Sequence, residues 1–386
     1  MKRQADRLAF DKAMVTQPVW NRFDTAGDAL DLAENVLLHA GPAFDDVEKI
    51  TKPILNSACV AALYEGLASN FETARGMIRS GEVELRPAQD FDVVTPLAAV
   101  VSASMPLHSV YDAWKGRIRC FAPINGGIGP SLRLGLLSEE VLAHARWLNT
   151  RVKDALQEGI AEGIALVPLA AKGLREGDDC HGRTPVSGAA LIEEIETRSR
   201  RGIRDEQVVE FVRASPSLFL NLWMAATKTM MKAAEGVDGS GVITAAGGNG
   251  REFGIQISSD PGRWYTAAAK PPEGDIGEHS PDMALGAIGD SAVVDCLGLG
   301  AMSSIDLRDG PAGDELGSFL VGYHPNFLPG PRHLGCTVFG GDPLFDGPAV
   351  SLGILDKEGA RGRLGGGIFS VPASLRKAAL IGAGLN

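Results

Sequence analysis

Several familiar signatures are missing from this chain of 386 residues. No Cys-x-x-Cys pair occurs, so neither a disulfide framework nor a zinc site is indicated. No uncharged apolar run reaches about 18 residues, which argues against a membrane span, and the N-terminal residues lead into no apolar segment typical of a signal peptide. We therefore expect a cytoplasmic protein with reduced thiols. The five cysteines are Cys59, Cys120, Cys180, Cys296 and Cys336.

Basic charge is also scarce. The chain has 37 lysines and arginines against 48 aspartates and glutamates, a formal net charge of −11. A nucleic-acid partner, which needs a basic surface, is therefore not expected. Neither a Gly-x-Ser-x-Gly elbow nor a His-Glu-x-x-His sequence occurs, which argues against the usual serine hydrolases and zinc proteases. A small anionic substrate is still compatible, because a few arginines and backbone amides can hold one.

Glycine, in contrast, is abundant, with 48 residues, and predicts many tight loops. Helical and strand-like segments alternate up to about residue 165, the middle of the chain is helical, and short strands between glycine-rich loops follow. We predict an α/β (α+β) fold with two α/β-type domains and a small helical domain between them. The expected boundaries are an N-terminal arm at 1–30, an α/β domain at 31–165, a helical domain at 166–236 and a second α/β-type domain at 237–386.

Capping residues indicate where three helices in the middle of the chain begin. Ser138 and Asp205 each precede a helical pattern and can accept a hydrogen bond from the first turn. Thr184 followed by Pro185 is a further start signal, because proline is well tolerated at the first helical position. The sequence therefore predicts Ser138, Thr184 and Asp205 as helix caps.

The strongest helical pattern runs from residue 216 to residue 235 and is predicted to end at Gly236. Its apolar residues occur nearly all round, which predicts burial on most sides. The polar exceptions Asn221, Lys228 and Lys232 fall within about 40° of one another on a helical wheel. A buried lysine is costly unless it is paired or functional, so this stripe is a candidate for function. A helix edge that reaches solvent is the alternative.

Two polar, glycine-rich loops at 244–254 and 288–300 lie between apolar strands. Glycine permits positive φ and lets backbone N–H groups approach a ligand closely. Asn249 in the first loop and Asp290 with Ser291 in the second add polar side chains. Purely structural turns are the alternative, but two such loops close in sequence favour a binding site.

Two other segments carry candidate ligand-binding groups. Asn125-Gly-Gly-Ile-Gly129, followed by Arg133, could cradle an anion, although a plain glycine turn is equally favoured. Gly177-Asp-Asp-Cys-His-Gly-Arg183 could transfer protons or hold a divalent cation. For the latter segment the pattern alone favours a solvated loop in which Arg183 pairs with an aspartate. Its spacing is not that of a known metal site.

Eight short segments form an ordered series in this sequence. They are Leu37-Leu-His-Ala-Gly-Pro42, Tyr64-Glu-Gly-Leu67, Ser102-Ala-Ser-Met-Pro106, Asn125-Gly-Gly-Ile-Gly-Pro-Ser-Leu-Arg133, Gly177-Asp-Asp-Cys-His-Gly-Arg183, Phe219-Leu-Asn-Leu-Trp-Met-Ala-Ala-Thr-Lys228, Asn249-Gly-Arg-Glu-Phe-Gly-Ile255 and Ile288-Gly-Asp-Ser-Ala-Val-Val-Asp295. In order and spacing the series resembles the YahG/YlbE-like family of bacterial proteins. The resemblance runs from about residue 36 to residue 300 and fades beyond residue 305.

The resemblance implies a function in one-carbon transfer. A member of this family is a subunit of oxamate carbamoyltransferase in allantoin breakdown, which exchanges a carbamoyl group between oxalurate and phosphate and requires FdrA-like and other operon-encoded subunits. For this chain, the candidate catalytic residues are Asp178, Asp179, His181 and Lys228. The candidate substrate-binding residues are His39, Asn125, Gly126, Gly127, Arg133, Arg183, Asn221, Asn249, Gly250, Glu252, Asp290 and Ser291. We expect these segments to surround a single pocket.

The sequence also departs from the family pattern. Gly126 and Pro130 stand where the family usually has a glutamate and a lysine, and Gly182 and Thr184 replace two asparagines. A histidine-rich segment of the family is Pro87-Ala-Gln-Asp90 here. These departures indicate a changed substrate or partly lost chemistry.

Three hypotheses follow. The first is a carbamoyltransferase subunit that acts on a small ureido or oxamate-like anion, with phosphate or carbamoyl phosphate, in a complex with FdrA-like partners. The second is a non-catalytic scaffold or regulatory subunit of such a complex. The third is a stand-alone amidohydrolase or lyase with a divalent cation at the acidic loop. We expect no organic cofactor, and we expect the chain to form a homo-oligomer.

Overall fold

Helices and short strands are interleaved throughout the computed structural model, which describes residues 4–199, 202–307, 311–324 and 333–385. This mixture confirms the predicted α+β class. The α-helices are α1 (Gln4–Met14), α2 (Ala26–Leu30), α3 (Lys52–Tyr64), α4 (Phe71–Ser80), α5 (Glu139–Trp147), α6 (Lys153–Ile160), α7 (Leu166–Arg175), α8 (Pro185–Arg198), α9 (Glu206–Ala214), α10 (Leu218–Ala233), α11 (Ala292–Cys296), α12 (Pro311–Gly317) and α13 (Ala373–Gly382). Across these described ranges, none of the helices has the length and apolar character required to cross a lipid bilayer.

The strands form several small sheets. They are β1 (Pro18–Thr25), β2 (Val36–His39), β3 (Glu84–Pro87), β4 (Pro106–Asp112), β5 (Arg119–Pro123), β6 (Ile164–Ala165), β7 (Ile243–Asn249), β8 (Glu252–Ile257), β9 (Asp260–Ala268), β10 (Glu273–Asp275), β11 (Ile288–Gly289), β12 (Leu320–Tyr323), β13 (His333–Cys336), β14 (Ala349–Leu355) and β15 (Arg363–Ser370). The two larger sheets have the orders β5-β4-β1-β6 and β11-β7-β8-β9. A third, β10-β15-β14, is antiparallel throughout, and β2 pairs in parallel with β3.

Helix α10 is the centre of the largest hydrophobic cluster. It contacts strands β1, β4, β5 and β7 and helices α1, α8 and α11. Trp223 and Phe219 are fully buried on it, and so are the polar Asn221 and Lys228. The predicted burial on most sides is thus confirmed, because neighbours from both halves of the chain surround this helix.

All three predicted helix starts are confirmed, and two of the three residues also cap their helix through the side chain. The Ser138 hydroxyl accepts the Val141 N–H at the start of α5, and Asp205 accepts N–H groups of the first turn of α9. The predicted helix start at Thr184 and Pro185 is also confirmed, since Thr184 is the N-cap residue and Pro185 begins α8. The Thr184 hydroxyl does not make the capping bond, because it donates to the Pro216 carbonyl, and Asp178 accepts the N–H groups of the first turn instead.

The first thirty residues pack closely against later parts of the chain. Helix α1 lies against α10 and β12, and β1 is an inner strand of its sheet. The buried Asp6 accepts hydrogen bonds from the Ser240 hydroxyl, the Gly241 N–H and the Thr337 hydroxyl. The N-terminal segment is thereby joined to two loops of the C-terminal half. The boundaries proposed from the sequence between domains stay predictions.

Candidate functional site

A cavity of about 520 Å³ lies where the N-terminus of α10, the Asn125 loop and the β10-β15-β14 sheet meet. Of the residues predicted for the site, Asn125, Gly127, Arg133, His181, Asn221 and Ser291 line it. It is also lined by residues not predicted from the sequence: Pro96, Leu97, Gly182, Pro216, Ser217, Leu220, Glu273, Gly274, Ser351, Leu352, Gly353, Arg363, Gly366, Gly367 and Ile368.

Two guanidinium groups meet at this cavity. Arg133, on a single turn of 3₁₀ helix, donates from Nη2 to the Gly127 carbonyl at 2.7 Å, and Arg363, at the start of β15, donates from Nε to the Gly365 carbonyl at 2.8 Å. Burial, together with the positive charge of Arg363, lowers the pKa of Arg133 to about 10. Neither group forms an ion pair with a carboxylate in the described residues. Two like charges held together in this way create a favourable position for an anion.

Glycines make room for Arg363. A Cβ atom on Gly366 would lie 3.0 Å from Nη2 of Arg363, and one on Gly353 would lie 3.4 Å from its Nε. Gly367 and Gly274 face each other across the β10–β15 pair, where a side chain would meet the neighbouring backbone. The glycines of β10, β14 and β15 therefore allow the strand backbones and the Arg363 guanidinium to lie close together on one side of the cavity.

His181 faces the cavity and is held from behind by Asp295. The His181 Nδ1 lies 2.5 Å from Oδ2 of Asp295, and the other carboxylate oxygen accepts the N–H groups of Ala301 and Ser351. Burial lowers the pKa of His181, but the charge of Asp295 and the hydrogen bond that His181 donates to it raise that pKa by more, so the net direction is upward. Because Nδ1 is occupied, Nε2 is the ring nitrogen left for a ligand.

The Asn125 loop packs tightly against the start of α10. A Cβ atom on Gly126 would lie 2.3 Å from Cζ of Phe211, and one on Gly127, whose φ is +84°, would lie 2.5 Å from the Ser217 hydroxyl. Phe211 therefore fills the space in which a family-like glutamate at position 126 would begin. The Ser217 side chain does not cap α10, so the N–H groups of the first turn remain available to an anion in the cavity.

Two non-glycine residues beside the cavity have left-handed backbone conformations. Leu97, which lines the cavity, has a φ of 49°, and Cys180, directly before His181, has a φ of 63°. Such conformations cost about 1–3 kcal/mol each and persist only where surrounding packing imposes them. Here these two backbone conformations orient the segment that carries Leu97 and the segment that carries the His181 ring.

The acidic loop contributes only its histidine and Gly182 to the cavity. Asp178 accepts the Ser187 N–H and hydroxyl, and Asp179 accepts the N–H groups of His181 and Arg183. Arg183 is exposed and lies 3.7 Å from Asp179. In the part of the chain that the structure describes, no group of three or more His, Cys, Asp or Glu side chains could hold a metal. The donor set does not fit the cation of the third hypothesis, because backbone N–H groups occupy both oxygens of Asp178 and one oxygen of Asp179, and the other oxygen of Asp179 lies beside Arg183.

The first glycine-rich loop lies outside the cavity. Asn249 is buried, donates to the Pro42 carbonyl and accepts the N–H groups of Arg251 and Glu252. The Glu252 carboxylate accepts a hydrogen bond from the Thr266 hydroxyl, and Gly250 forms the β7–β8 turn with a φ of +85°. In this structure the three residues build a hairpin and do not line the cavity.

Asp290 and His39 are buried behind the cavity. Asp290 accepts four hydrogen bonds, from the Gly41 N–H, the Gln89 amide, the Thr95 N–H and the Thr95 hydroxyl. Burial raises the pKa of Asp290 to about 6. His39 bonds through Nδ1 to the Ala40 carbonyl, and burial lowers its pKa to about 4. Of the second glycine-rich loop, only Ser291 lines the cavity.

Lys228 also lies away from the cavity. Its ammonium group donates to the Thr244 carbonyl at 3.3 Å and is 3.6 Å from Glu235. Lys232 pairs with the same glutamate and with Asp92. The polar stripe on α10 therefore divides: Asn221 lines the cavity, while the two lysines form an ionic cluster about 10 Å further along the helix.

We expect Lys228→Met to leave phosphate binding within about threefold of the unsubstituted chain and to change the free energy of unfolding by less than about 2 kcal/mol. Methionine fills a similar volume, and Lys232 still pairs with Glu235. Titration calorimetry and denaturant unfolding measure the two quantities, with Lys228→Ala, which leaves a void, as the destabilised control. If the Lys228→Met chain folds but no longer binds phosphate, Lys228 contributes to the functional site after all.

A second cavity, of about 670 Å³, lies between α1, α7 and the turn that carries Trp114. None of the predicted site residues lines it. The first cavity, with its two guanidinium groups and His181, is therefore the candidate functional site.

Comparison with known proteins places the chain in a family. A protein-family model described as "Oxamate carbamoyltransferase subunit AllG" matches residues 83–291. The oxamate carbamoyltransferase subunit AllG of Escherichia coli (strain K12) is 31% identical over 317 residues, which cover 78% of this chain and 74% of that protein. The chain belongs to the AllG family.

Two further similarities extend over nearly the whole chain. The uncharacterized protein YahG of the same organism is 28% identical over 408 residues, which cover 98% of this chain and 85% of YahG. A crystal structure of a conserved protein of unknown function from Enterococcus faecalis V583 has a TM-score of 0.88 and 25% identity, covering 98% of this chain and 97% of that one. The AllG family model ends at residue 291, in keeping with a resemblance that fades beyond residue 305, although the similarity to YahG covers 98% of this chain.

The C-terminal part of this AllG-family chain supplies more than half of the cavity residues that sequence reasoning missed. Arg363 is followed by Gly365-Gly-Gly367 within a strand. Consecutive glycines in a strand are unusual and indicate that another backbone segment or side chain lies very close to it. Asp295 is the last residue of the Ile288–Asp295 segment. An acidic side chain in an otherwise apolar helix indicates a buried carboxylate that needs a polar partner.

Proposed function

We propose that the chain is a subunit of a carbamoyltransferase-type enzyme, and that its cavity binds small anions of the transfer reaction: phosphate or carbamoyl phosphate, and a ureido or oxamate-like acid. The observation that carries this proposal is the meeting of Arg133 and Arg363 at a cavity beside His181, with neither guanidinium paired to a carboxylate in the described residues. Membership of the AllG family supplies the reaction type.

The cavity offers groups suited to such a transfer. The two guanidinium groups match the charge and planar geometry of phosphate or carboxylate oxygens. The first turn of α10 lies beside the same space, where its N–H groups can orient a carbonyl or carboxylate. Asn221 lines this space, but its amide donates to the Pro123 carbonyl and accepts from Asn125, so it fixes the wall of the cavity. Holding two small reactants in one orientation and stabilising negative charge are the main requirements of carbamoyl transfer. This composition favours a catalytic subunit over a scaffold.

We further propose that the chain acts in the cytoplasm with FdrA-like partner subunits. Reconstitution tests both parts: the chain is purified alone and with these partners, and carbamoyl phosphate formation from oxalurate, related ureido acids and phosphate is measured. We expect turnover in the complex. Arg361→Met, which changes an arginine outside the cavity, is the control for the charge-removing substitutions at Arg133 and Arg363. No turnover in any combination of subunits and substrates would refute the proposal.

A further inference from the structure

The His181–Asp295 pair has the geometry of a proton-transfer unit. The imidazole lines the cavity while its Nδ1 is 2.5 Å from a carboxylate that is itself fully buried. Two backbone N–H groups, from Ala301 and Ser351, hold the second carboxylate oxygen at 2.8 and 3.0 Å. A carboxylate that fixes one ring nitrogen orients the other and stabilises the imidazolium form.

The packing around the pair keeps this orientation. Gly300, with a φ of +58°, lies so close that a Cβ atom there would be 2.3 Å from Oδ1 of Asp295 and 2.8 Å from Cβ of His181. The Gly300 N–H also donates to the Asp179 carbonyl. Any other residue at position 300 would displace the ring or the carboxylate.

We propose that His181 transfers the proton in the carbamoyl-transfer step through its Nε2, and that Asp295 positions it. The inference rests on the proposed function of the same cavity. It assigns separate tasks to the two charged centres there: Arg133 and Arg363 bind anion oxygens, and His181 exchanges a proton with the reacting nitrogen.

The proton balance of the step is complete with phosphate as co-reactant. In the direction that forms carbamoyl phosphate, a phosphate oxygen bonds to the carbamoyl carbon and the bond from that carbon to the amide nitrogen of the leaving oxamate breaks. The electron pair stays on the nitrogen, which takes a proton from Nε2 of His181. The hydrogen phosphate ion loses its own proton as the product forms, and that proton restores His181.

The charged groups around His181 define the expected pH behaviour. Asp295 and Asp179 raise the pKa of His181, while burial and the positive charge of Arg363 lower it. Because His181 acts as an acid in this direction, the rate falls as pH rises through its pKa. Removing the Asp295 charge lowers that pKa, so Asp295→Asn should move the fall in rate to lower pH.

The test compares wild type, His181→Gln and Asp295→Asn in the reconstituted complex, and phosphate binding to each isolated chain by calorimetry. We expect His181→Gln to lower kcat by roughly 10²- to 10⁴-fold while phosphate affinity stays within about threefold. Added imidazole should restore part of the turnover of His181→Ala. His279→Gln, a histidine outside the cavity, is the control and should keep the wild-type rate.

The outcomes separate this inference from the proposed function. If the wild-type complex turns over and His181→Gln retains a rate within about threefold of it, the inference is wrong and the proposed function stands. If the wild-type complex shows no turnover, the proposed function fails and the inference fails with it. If Asp295→Asn misfolds, the imidazole rescue of His181→Ala decides: rescue supports the proton-transfer role, and its absence contradicts it.

Discussion

Substituting Arg133 with methionine should weaken phosphate binding to the isolated chain by on the order of 10²-fold, because two charge-assisted hydrogen bonds are together worth about 3 kcal/mol. The guanidinium is largely buried, is held by the Gly127 carbonyl and has Arg363 as its charged neighbour. Its remaining donors can bind oxygen atoms in the cavity. Titration calorimetry at fixed ionic strength measures the dissociation constant.

Arg361→Met is the matched control for Arg133→Met. Arg361 lies two positions before Arg363 but does not line the cavity, so this substitution removes the same charge without removing a ligand. Arg133→Lys should be intermediate, because lysine keeps the charge but loses the fork of donors. Equal affinities of Arg133→Met and Arg361→Met for phosphate would contradict the anion site.

The effects of Arg133→Met and Arg363→Met should not add. If both guanidinium groups bind the same anion, either single substitution removes much of the binding energy, and the double variant loses less than the sum. The two positive charges also oppose each other in the empty cavity, so removal of one stabilises the other. Additive losses would indicate that the two arginines bind separate ligands.

Replacing Asp290 with asparagine should lower the free energy of unfolding by about 2–5 kcal/mol, because two buried donors lose their acceptor. The carboxylate accepts four hydrogen bonds, two on each oxygen. An asparagine amide nitrogen would face two donors at one of these positions and leave both unsatisfied in a fully buried place. The substitution therefore releases either the Gly41 turn and the Gln89 amide, which share one oxygen, or the Thr95 segment, which holds the other.

Denaturant unfolding followed by circular dichroism measures this loss. Asp11→Asn is the control: Asp11 pairs with Arg7 at the surface, both side chains are more than half exposed, and the expected change is below about 1 kcal/mol. A similarly small change in Asp290→Asn would show that the four hydrogen bonds contribute little, and Asp290 would have to be considered for a direct role in the site.

Elements with strong local signals could be predicted from the sequence. Helix α10 was predicted from its apolar residues, and the starts of α5 and α9 from Ser138 and Asp205. In each case the deciding interactions span only a few residues, so the pattern contains them. At Thr184 the helix start was also predicted correctly, but the bond made by its hydroxyl was not, because the partner is the Pro216 carbonyl, 32 residues away.

The site was harder to predict because a polar residue in an apolar segment can be structural and can also border a cavity. Lys228 and Asn249 are buried and satisfy the backbone carbonyls of Thr244 and Pro42. Asn221 is equally buried and satisfies the Pro123 carbonyl in the same way, yet it also lines the cavity. The sequence shows the same signal in all three cases. Arg363 could not be placed at all, since antiparallel pairing of β15 with β10 and β14 brings it to Arg133.

The three hydrogen bonds accepted by Asp6 also bear on how the chain folds during synthesis. Thr337 lies 331 residues after Asp6, and at common translation rates it is made roughly 20–70 s later. Until then α1 lacks one of the partners that fix it, and its buried face, with Phe10 and Ala13, is exposed to other nascent chains. This contact therefore forms late in synthesis, and chaperone binding to the exposed face of α1 before that point would prevent aggregation.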